Sequence, residues 1–580
     1  MRIRYLLWTT LGATALAAAP AAPADAGPTA GGDGGAAAEL VWNRRNAEHL
    51  LNRAGFGARQ ADIERAVRLG AEAFVERLLA GIGEEPEPYY AERLSGRDGG
   101  RAAMKARMEM SDQMLEEGTE EMQRAANALR QEDRLQLLDY SALWIQRMVQ
   151  GEDPLRDRMT LFWHGYFTSS MEDVKSSYNM IRQHELLRSN ALGSFEVLLR
   201  GIARDPAMLE YLDSRSNKKS SPNENFAREL MELFTLGEGN YTEHDVKEAA
   251  RAFTGWADRS GEYWFRRGQH DSGMKEILGH SGRYDGDNVL DILLEHEACP
   301  RWVAGRMLAY FEGVEPGAAR RERYATRLRE VDWDLSAFLR TLFLDPEFYR
   351  DEIVGRRIAS PVDFLVGAVR RLNMPVPPLM LQGGARVLGE HLFFPPNVKG
   401  WDGGETWITT STFMMRGNLA GVLLGQISPE ALFRPEEGAG SADDALSGMA
   451  ADVAMGDGAG TAMGAMEEAS ELARGQAATG PAARQVGRAM SAWRPRLNLT
   501  ARLRLAGLAT DAELVDRLLD ELLAVEASPE TRAWLLAHVA AQRHARAIEV
   551  ERLTDGGDEA ERLLRELAHL ILSQPEAQLN

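Results

Sequence analysis

The sequence predicts an all-α fold, a large irregular helical domain with long loops and one short β-hairpin. Three observations support this prediction. Apolar residues recur at intervals of three and four through most of the chain, which is the period of a helix buried along one side. Capping residues, prolines and glycines mark where these segments begin and end. A series of short alternating strands, which a β-sheet protein would need, is not found.

The composition allows a large buried core and excludes some functions. The chain has 580 residues, of which 44% are hydrophobic, and 67 Lys and Arg against 87 Asp and Glu give a net charge of −20. Such an acidic surface repels nucleic acid, which is bound through phosphate neutralisation, so we expect no nucleic-acid partner. A single cysteine, Cys299, excludes an internal disulfide, and we expect a buried, inert thiol.

The N-terminus has the pattern of a signal peptide. Two early arginines precede an apolar run at Leu6–Ala19, and Ala24-Asp25-Ala26 fits a small-x-small cleavage site. A membrane anchor is the alternative, but the run is short for a span. We therefore predict a signal peptide at residues 1–26, a flexible leader at 27–40, and an exported protein, periplasmic or extracellular, without a transmembrane span after signal removal.

Helical segments then follow one another. Apolar spacing predicts helices near Ile63–Leu79 and along Arg101–Gln150, and Asp153-Pro154 begins another. Residues 41–435 are expected to form the main helical domain. The Gly, Ala, Met and acidic residues of 436–485 indicate a low-complexity, disordered insertion, and 486–580 predict C-terminal helices that pack on the main domain.

The segment Ser221–Trp256 carries the most information. Ser221, Pro222 and Glu224 predict a capping box and a helix that ends near Leu236. Thr242, with Asp245 three residues later, predicts the start of the next helix. The aromatic run that follows suggests a short hairpin around Glu262–His280.

One pattern occurs three times, at 195–208, 335–348 and 564–577. Each copy predicts an amphipathic helix that breaks just before a proline, because proline disfavours helical geometry in the residue before it. The irregular spacing excludes a solenoid, so we interpret the copies as packing units.

The helix after Pro222 places polar side chains beside its buried arc. At 100° per residue, Phe226, Leu230, Leu233 and Phe234 face the core and Asn225, Glu229 and Glu232 lie at its boundary. Glu224–Arg228 and Arg228–Glu232 are expected ion pairs. The glutamates could bind a hard cation, or they could form a charged flank whose partners are arginines.

Other polar groups are also open to two interpretations. His164 lies among aromatic residues, as either a core histidine or a ligand or base. His270-Asp271, with Lys275 nearby, is an acid–base candidate in a glycine-rich loop. We expect Asp287 to act as a helix N-cap. The loop 393–412 is rich in Pro, Gly and Trp and could line a site.

Established catalytic motifs are not found. The sequence contains no HExxH, GxSxG or paired CxxC motif and no dinucleotide-binding fingerprint. We therefore expect no nucleotide cofactor, and a divalent metal is the one cofactor that the residues suggest.

Several blocks together resemble a known bacterial family, domain of unknown function 1800. They are HLLNRAGFG at 49–57, LFWHGYF around His164, DPAMLEYLD at 205–213, NENFARELMELFTLGEGNYTEHDVKEAARAFTGW at 223–256, HDSGMKEILG at 270–279, YDGD, FFPPNVKGW, and HLILSQPEAQ at 569–578. Members often have a second histidine where this chain has Tyr166, which weakens a histidine-pair metal site there.

The resemblance implies an exported, mostly helical protein and supplies no catalytic residues. Such proteins are often encoded beside a second exported family, domain of unknown function 1501, which is the expected partner. The first hypothesis is therefore a non-catalytic helical partner or maturation factor for a co-encoded exported protein.

The alternative is a cell-envelope hydrolase that acts on a polysaccharide or related polymer. Its expected catalytic residues are His164, Glu229, His270 and Asp271, its substrate-binding residues Asn225, Arg228, Lys275, Lys399, Trp256 and Trp401, and its metal ligands Glu224, Glu229 and Glu232. Convergence of these residues on one pocket would favour the enzyme. If they are scattered and paired with arginines, the partner hypothesis is favoured.

Overall fold

The computed structural model describes residues 39–81, 100–429, 492–508, 510–549, 553 and 557–580. The predicted signal peptide, the insertion at 436–485 and all of the leader except residues 39 and 40 lie outside these ranges. Within them the prediction of an all-α fold is confirmed, with 23 helices and two small two-stranded antiparallel sheets. No helix in these ranges is long and apolar enough to cross a membrane.

The first half of the described chain is built from short and medium helices around one long helix, Glu120–Gln150. In chain order the α-helices up to the sheets are Arg44–Ala54, Gln60–Leu69, Ala71–Ala80, Gly100–Glu117, Glu120–Gln150, Pro154–Tyr166, Met171–Val174, Ser177–Ser189, Phe195–Ala203, Pro206–Tyr211, Asn225–Glu229 and Glu243–Ala252. A π-helix, Leu230–Thr235, continues the helix Asn225–Glu229.

The second half follows the sheets. Its α-helices are Gly286–Glu295, Ala298–Glu312, Ala318–Glu330, Leu335–Phe343, Pro361–Leu372, Pro378–Val387, Thr410–Leu423, Leu499–Leu505, Asp511–Leu522, Pro529–Ala545 and Asp558–Leu572. Five 3₁₀-helices are found among the described residues, at Ser214–Ser216, Arg267–Gln269, Pro346–Tyr349, Gly404–Trp407 and Pro575–Gln578.

Two hairpins replace the single predicted one. Trp256–Arg259 pairs with Glu262–Phe265, and Lys275–Ile277 pairs with His280–Gly282, both antiparallel. The predicted range thus contains the second strand of one hairpin and most of the other. The glycine at 261, with a φ of 72°, permits the tight turn of the first hairpin.

Some predicted helix starts are confirmed. The Asp153 carboxylate accepts from the Arg156 N–H, with Pro154 in the first turn. Thr242 and Asp245 form the predicted reciprocal capping box.

The predicted capping box at Ser221 is wrong. The backbone of Ser221 folds into a tight turn with Lys218 instead, through a hydrogen bond from the Ser221 N–H to the Lys218 carbonyl of 2.8 Å. The helix begins only at Asn225, whose N–H donates to the Asn223 side chain. The cap expected at Asp287 is also misplaced, because Asp285 forms the capping box with Asn288.

Two of the three repeated segments pair with each other. Ser194 and Asp334, which precede the first two copies, form a β-bridge. The Phe195 N–H donates to the Trp333 carbonyl and the Leu335 N–H to the Gly193 carbonyl. The copies therefore meet at their helix starts in a symmetrical arrangement.

The core consists of two hydrophobic clusters. One surrounds the helices from Pro154–Tyr166 to Leu335–Phe343 and includes Cys299, which is fully buried. Burial raises the pKa of the Cys299 thiol, as expected for an unreactive cysteine. In the other cluster, Pro361–Leu372 packs with the helices after residue 499, so the C-terminal helices share a core with the rest of the chain.

Candidate functional site

A π-helical turn marks the segment that the sequence singles out. In Leu230–Thr235 the chain carries one extra residue per turn, and the Leu236 N–H donates to the Met231 carbonyl, five residues back, at 2.8 Å. Such turns inside α-helices are frequent at functional sites. The extra residue also corrects the predicted helical wheel, because Met231 and Thr235 are buried while Leu233 is only half-buried.

Aromatic side chains from two other helices hold this turn. The Tyr166 hydroxyl donates to the Phe234 carbonyl at 2.9 Å, and the Trp302 Nε1–H donates to the Leu233 carbonyl at 2.8 Å. Carbonyls in the last turn of a helix have no intrahelical donor, so these two contacts satisfy groups that would otherwise be left unpaired. The Arg306 guanidinium lies 6.0 Å from the ring centre of Tyr166 and 5.8 Å from that of Trp302.

Glu229 and Glu232 form the centre of a small polar cluster. The Tyr241 hydroxyl donates to Glu232 Oε2 at 2.9 Å, and Lys399 Nζ lies 3.9 Å from Glu232 Oε1. Burial, and next the charge of Glu232, raise the pKa of Glu229. Burial and the hydrogen bond to Glu232 raise the pKa of Tyr241 to about 12. We call these four residues, Glu229, Glu232, Tyr241 and Lys399, the carboxylate face.

Arg228 points away from the carboxylate of Glu232. Its guanidinium binds Glu224 at 3.1 Å and Glu243 at 2.7 Å. The predicted Glu224–Arg228 pair is therefore confirmed. The predicted Arg228–Glu232 pair is not found, since Glu232 contacts Tyr241 and Lys399 instead. Asn225 is committed to the backbone, since its Nδ2 donates to the Leu212 carbonyl at 3.3 Å.

The three glutamates predicted as metal ligands do not meet. Glu224 is held by Arg228, while Glu229 and Glu232 lie on the carboxylate face. Among the described residues, no group of three or more His, Cys, Asp or Glu side chains could hold a metal ion. The three glutamates therefore do not form the predicted metal site.

His164 lies in a closed aromatic pocket. Its Nε2 accepts a hydrogen bond from the Phe393 N–H at 3.1 Å. The rings of Trp144, Phe393 and Trp401 lie with their centres between 5.1 and 5.7 Å from the His164 ring. Burial lowers the pKa of His164 to about 4. The side chain is a neutral acceptor that fixes the loop at Phe393.

A second histidine in this pocket was not singled out from the sequence. His184 Nδ1 lies 3.0 Å from the Tyr140 hydroxyl, and its buried Nε2 has no hydrogen-bond partner within the described ranges. Burial, and then the proximity of His164, lower the pKa of His184. Because Tyr140 and His184 are 44 positions apart, no local pattern could have joined them.

His270 and Asp271 hold the loop between the two hairpins. His270 Nδ1 is 3.0 Å from the Thr254 carbonyl. The Asp271 carboxylate binds Arg251 at 2.8 Å, and this hydrogen bond lowers the pKa of Asp271. Both side chains are bound to neighbouring elements of the same hairpin region, and the structure does not bring them to the carboxylate face.

Lys275 and Trp256 are both buried. Lys275 Nζ donates to the carbonyls of Asp271 at 2.5 Å, Gly273 at 3.2 Å and Tyr284 at 2.8 Å. Burial lowers the pKa of this ammonium. Trp256 packs edge-on against Phe253 and Tyr263. These two predicted substrate-binding residues stabilise the hairpins.

The loop from Phe393 to Trp401 connects the pocket and the carboxylate face. Phe393 and Trp401 contact His164, the Val398 carbonyl accepts from the Thr168 hydroxyl, and Lys399 reaches Glu232. Of the predicted site residues, the structure thus brings together Glu229, Glu232 and Lys399, with Trp401 and His164 on the adjoining part of the loop. Asn225, Arg228, Trp256, His270, Asp271 and Lys275 serve other contacts.

Three aromatic residues of this neighbourhood had escaped the sequence reasoning. Tyr241 and Trp302 contact the π-turn directly. Burial, and then the charges of Asp173 and Glu229, raise the pKa of Tyr211 to about 12. Tyr241 lies only nine positions from Glu232, inside the segment Ser221–Trp256 that the sequence analysis singled out. This closeness in sequence was the one signal that could have identified Tyr241 as part of the site.

Comparison with known proteins gives one match. A family model described as "Protein of unknown function (DUF1800)" matches residues 49–579. No curated protein and no solved structure matches the chain. The match covers the π-turn, the His164 pocket, both hairpins and the C-terminal helices.

Proposed function

The chain belongs to the DUF1800 family, and we propose that it is a non-catalytic helical partner or maturation factor for another exported protein. In this proposal, the partner that binds the carboxylate face is the co-encoded exported protein of the domain of unknown function 1501 family. Export is part of the proposal and is supported by the signal-peptide pattern of residues 1–26.

One observation carries this proposal. Most side chains that the sequence offers for acid–base chemistry are already bound to the fold. His164 accepts from the Phe393 backbone, His270 contacts the Thr254 carbonyl, and Asp271 binds Arg251. A general base needs a lone pair within reach of the substrate proton. The lone pairs of His164 Nε2 and of the Asp271 carboxylate are directed at the protein itself, and His270 donates through Nδ1–H to a backbone carbonyl.

The carboxylate face and its neighbours support a binding role. Lys399 has a side chain that is 60% exposed. Arg306 is exposed, stacks on Trp302, and has no carboxylate within ion-pair distance in the described part of the chain. Tyrosine, tryptophan and arginine are the residues that dominate binding at protein interfaces. A partner surface with cations opposite Glu229 and Glu232 would complement this face.

Charge reversal of the carboxylate face tests the proposal. The mature chain and the co-encoded exported protein are mixed as purified proteins, and the complex is measured by light scattering after size exclusion and by titration calorimetry. We expect a complex whose Kd rises about tenfold or more in Glu229→Lys/Glu232→Lys, because like charges would then face each other. Glu64→Lys/Glu72→Lys, on the exposed sides of two other helices, makes the same change of charge and should bind normally. Failure to form a complex, or equal binding by both variants, would contradict the proposal.

A hydrolase is the second candidate, and one observation favours it. The pKa of Glu229 is raised by burial and by Glu232, which is how proteins prepare a carboxyl group to act as a general acid. Release of soluble fragments from cell-envelope polysaccharide should then be lost in Glu229→Gln and retained in Glu224→Gln. Absence of release by the unmodified protein would exclude this candidate for the polymer tested.

A further inference from the structure

A second polar site is a cavity that shares no lining residue with the carboxylate face. It is enclosed by the helices Gly100–Glu117 and Glu120–Gln150, the residues that follow Met171–Val174, and the segment around Arg215. Its volume is about 60 Å³, several times the roughly 10–15 Å³ that one water molecule requires. A group of several non-hydrogen atoms can therefore occupy it.

Arg107 presents unpaired donors at this cavity. Its Nε and Nη2 atoms are buried and have no hydrogen-bond partner among the described residues. These two atoms form one edge of the planar guanidinium, the edge that binds two oxygens of a carboxylate, phosphate or sulfate at once. A buried donor without a partner costs free energy, so this edge requires an acceptor.

Ser111 supplies a second unpaired donor, one helical turn further on. The residue is 5% exposed, and its buried Oγ has no hydrogen-bond partner in the part of the chain that the structure describes. Residues four apart lie on the same side of a helix, and both Arg107 and Ser111 line the cavity. Two unsatisfied polar side chains therefore meet at one enclosed space.

Three acidic residues, Asp112, Asp133 and Glu210, also line the cavity, and none of them accepts a hydrogen bond from Nε or Nη2 of Arg107. The Asp133 carboxylate accepts from the Ser177 N–H at 2.6 Å and from the Ser177 hydroxyl. Glu210 lies 3.7 Å from Arg215, which also binds Asp258. None of these contacts satisfies Arg107.

Two further cations line the same space. Arg130 and Lys175 both border the cavity, and Arg130 lies close enough to the Asp133 carboxylate for their charges to interact. Lys175 is held in place by a left-handed backbone conformation at the end of its helix, with a φ of 53°. The cavity is thus lined by four cationic side chains and three carboxylates.

We propose that this cavity binds a small oxyanion, with the Nε and Nη2 edge of Arg107 donating to two of its oxygens and the Ser111 hydroxyl donating to it as well. Arg130 and Lys175 supply additional positive charge. Phosphate, sulfate and a free carboxylate share this chemistry. The site is independent of the carboxylate face and of the function proposed for it.

The test uses the mature full-length chain and measures thermal unfolding and calorimetric binding with phosphate, sulfate and acetate, at constant ionic strength set with chloride. A ligand that binds only the folded state raises Tm with its concentration. We expect saturable binding of at least one oxyanion, weakened about tenfold or more in Arg107→Gln. Arg107→Lys keeps the charge but lacks the paired donors, so its affinity for the oxyanion should lie between those of the unmodified protein and Arg107→Gln. Arg124→Gln, on an exposed part of the neighbouring helix, is the matched control.

The outcomes separate the sources of the anion and decide the proposal. Binding of phosphate or sulfate without acetate identifies a tetrahedral oxyanion, and binding of acetate alone identifies a carboxylate. Without added oxyanion, Arg107→Gln should unfold at the same or a higher temperature than the unmodified protein, because it removes unpaired donors. Binding of none of the three anions, equal binding by Arg107→Gln, or a lower Tm of anion-free Arg107→Gln would overturn the proposal.

Discussion

The His164 pocket and the carboxylate face share one loop, yet they use ionisable side chains in opposite ways. In the pocket, aromatic rings exclude water and the histidine accepts one backbone hydrogen bond. On the carboxylate face, two glutamates lie close together with a tyrosine and an exposed lysine. A dense cluster of polar and aromatic residues therefore does not by itself indicate a catalytic or binding site. The distinction depends on whether the polar atoms are already committed to the backbone.

Lys275 should give the largest effect among the committed side chains. Lys275→Met would leave three carbonyls without their donor, and each unsatisfied buried group costs roughly 1–3 kcal/mol. We expect a loss of about 4 kcal/mol in the free energy of unfolding, measured by urea denaturation. Lys247→Met, at an exposed lysine of a neighbouring helix, should change it by about 0.5 kcal/mol or less. Equal effects of the two substitutions would show that Lys275 is not structural.

His164 should give a smaller effect with a distinctive pH dependence. His164→Leu removes the acceptor for the Phe393 N–H and should cost about 2 kcal/mol at pH 7. His164→Gln keeps an acceptor near the position of Nε2 and should cost less. Denaturant unfolding at pH 7 distinguishes the two variants.

The sign of the pH dependence follows from the lowered pKa of His164. The unfolded histidine takes up a proton near pH 6.5, whereas the folded one does so near pH 4. Between these values the unfolded state binds more protons, so stability is lost as the pH falls from about 6.5 to about 4. The shift contributes about 3 kcal/mol to this loss. Both His164 variants should lose that part of the dependence, and an unchanged pH profile would contradict the closed pocket.

Substitution on the carboxylate face should have the smallest effect on stability. Glu229→Gln removes a half-buried charge beside Glu232 and should change the free energy of unfolding by no more than about 1 kcal/mol, in the stabilising direction. Chemical denaturation at pH 7 measures the change. A loss of several kcal/mol in the free energy of unfolding would instead show that the carboxylate face stabilises the fold, as the His164 pocket does.

Local sequence patterns predicted much of the fold. The cap at Thr242 and the start at Pro154 are confirmed because their hydrogen bonds join residues only three apart. The cap at Ser221 was predicted wrongly, because the competing turn with Lys218 and the contact of the Asn223 N–H with Asn217 draw on residues before the pattern. Local rules fail where a neighbouring segment offers the same backbone groups a different partner.

The candidate site was only partly predictable. Glu229 and Glu232 were found from helical spacing, and Lys399 from its motif. The pairing of Lys399 with Glu232 depends on how a distant loop packs. That Arg107 has no acceptor for Nε and Nη2 among the described residues also could not be foreseen, because hydrogen-bond partners depend on how distant segments pack.

The sequence by itself determined the helical class, many of the helix boundaries and the family resemblance, because these depend on apolar period, capping residues and contiguous motifs. The tertiary structure alone decided which polar side chains remain available. Arg228 pairs with Glu224 and Glu243 and not with the expected Glu232. The buried side chains of His164 and Lys275 form hydrogen bonds with the backbone. The physical reason is that solvation and hydrogen-bond partners are set by residues far apart in the chain, whereas helix formation is set by near neighbours.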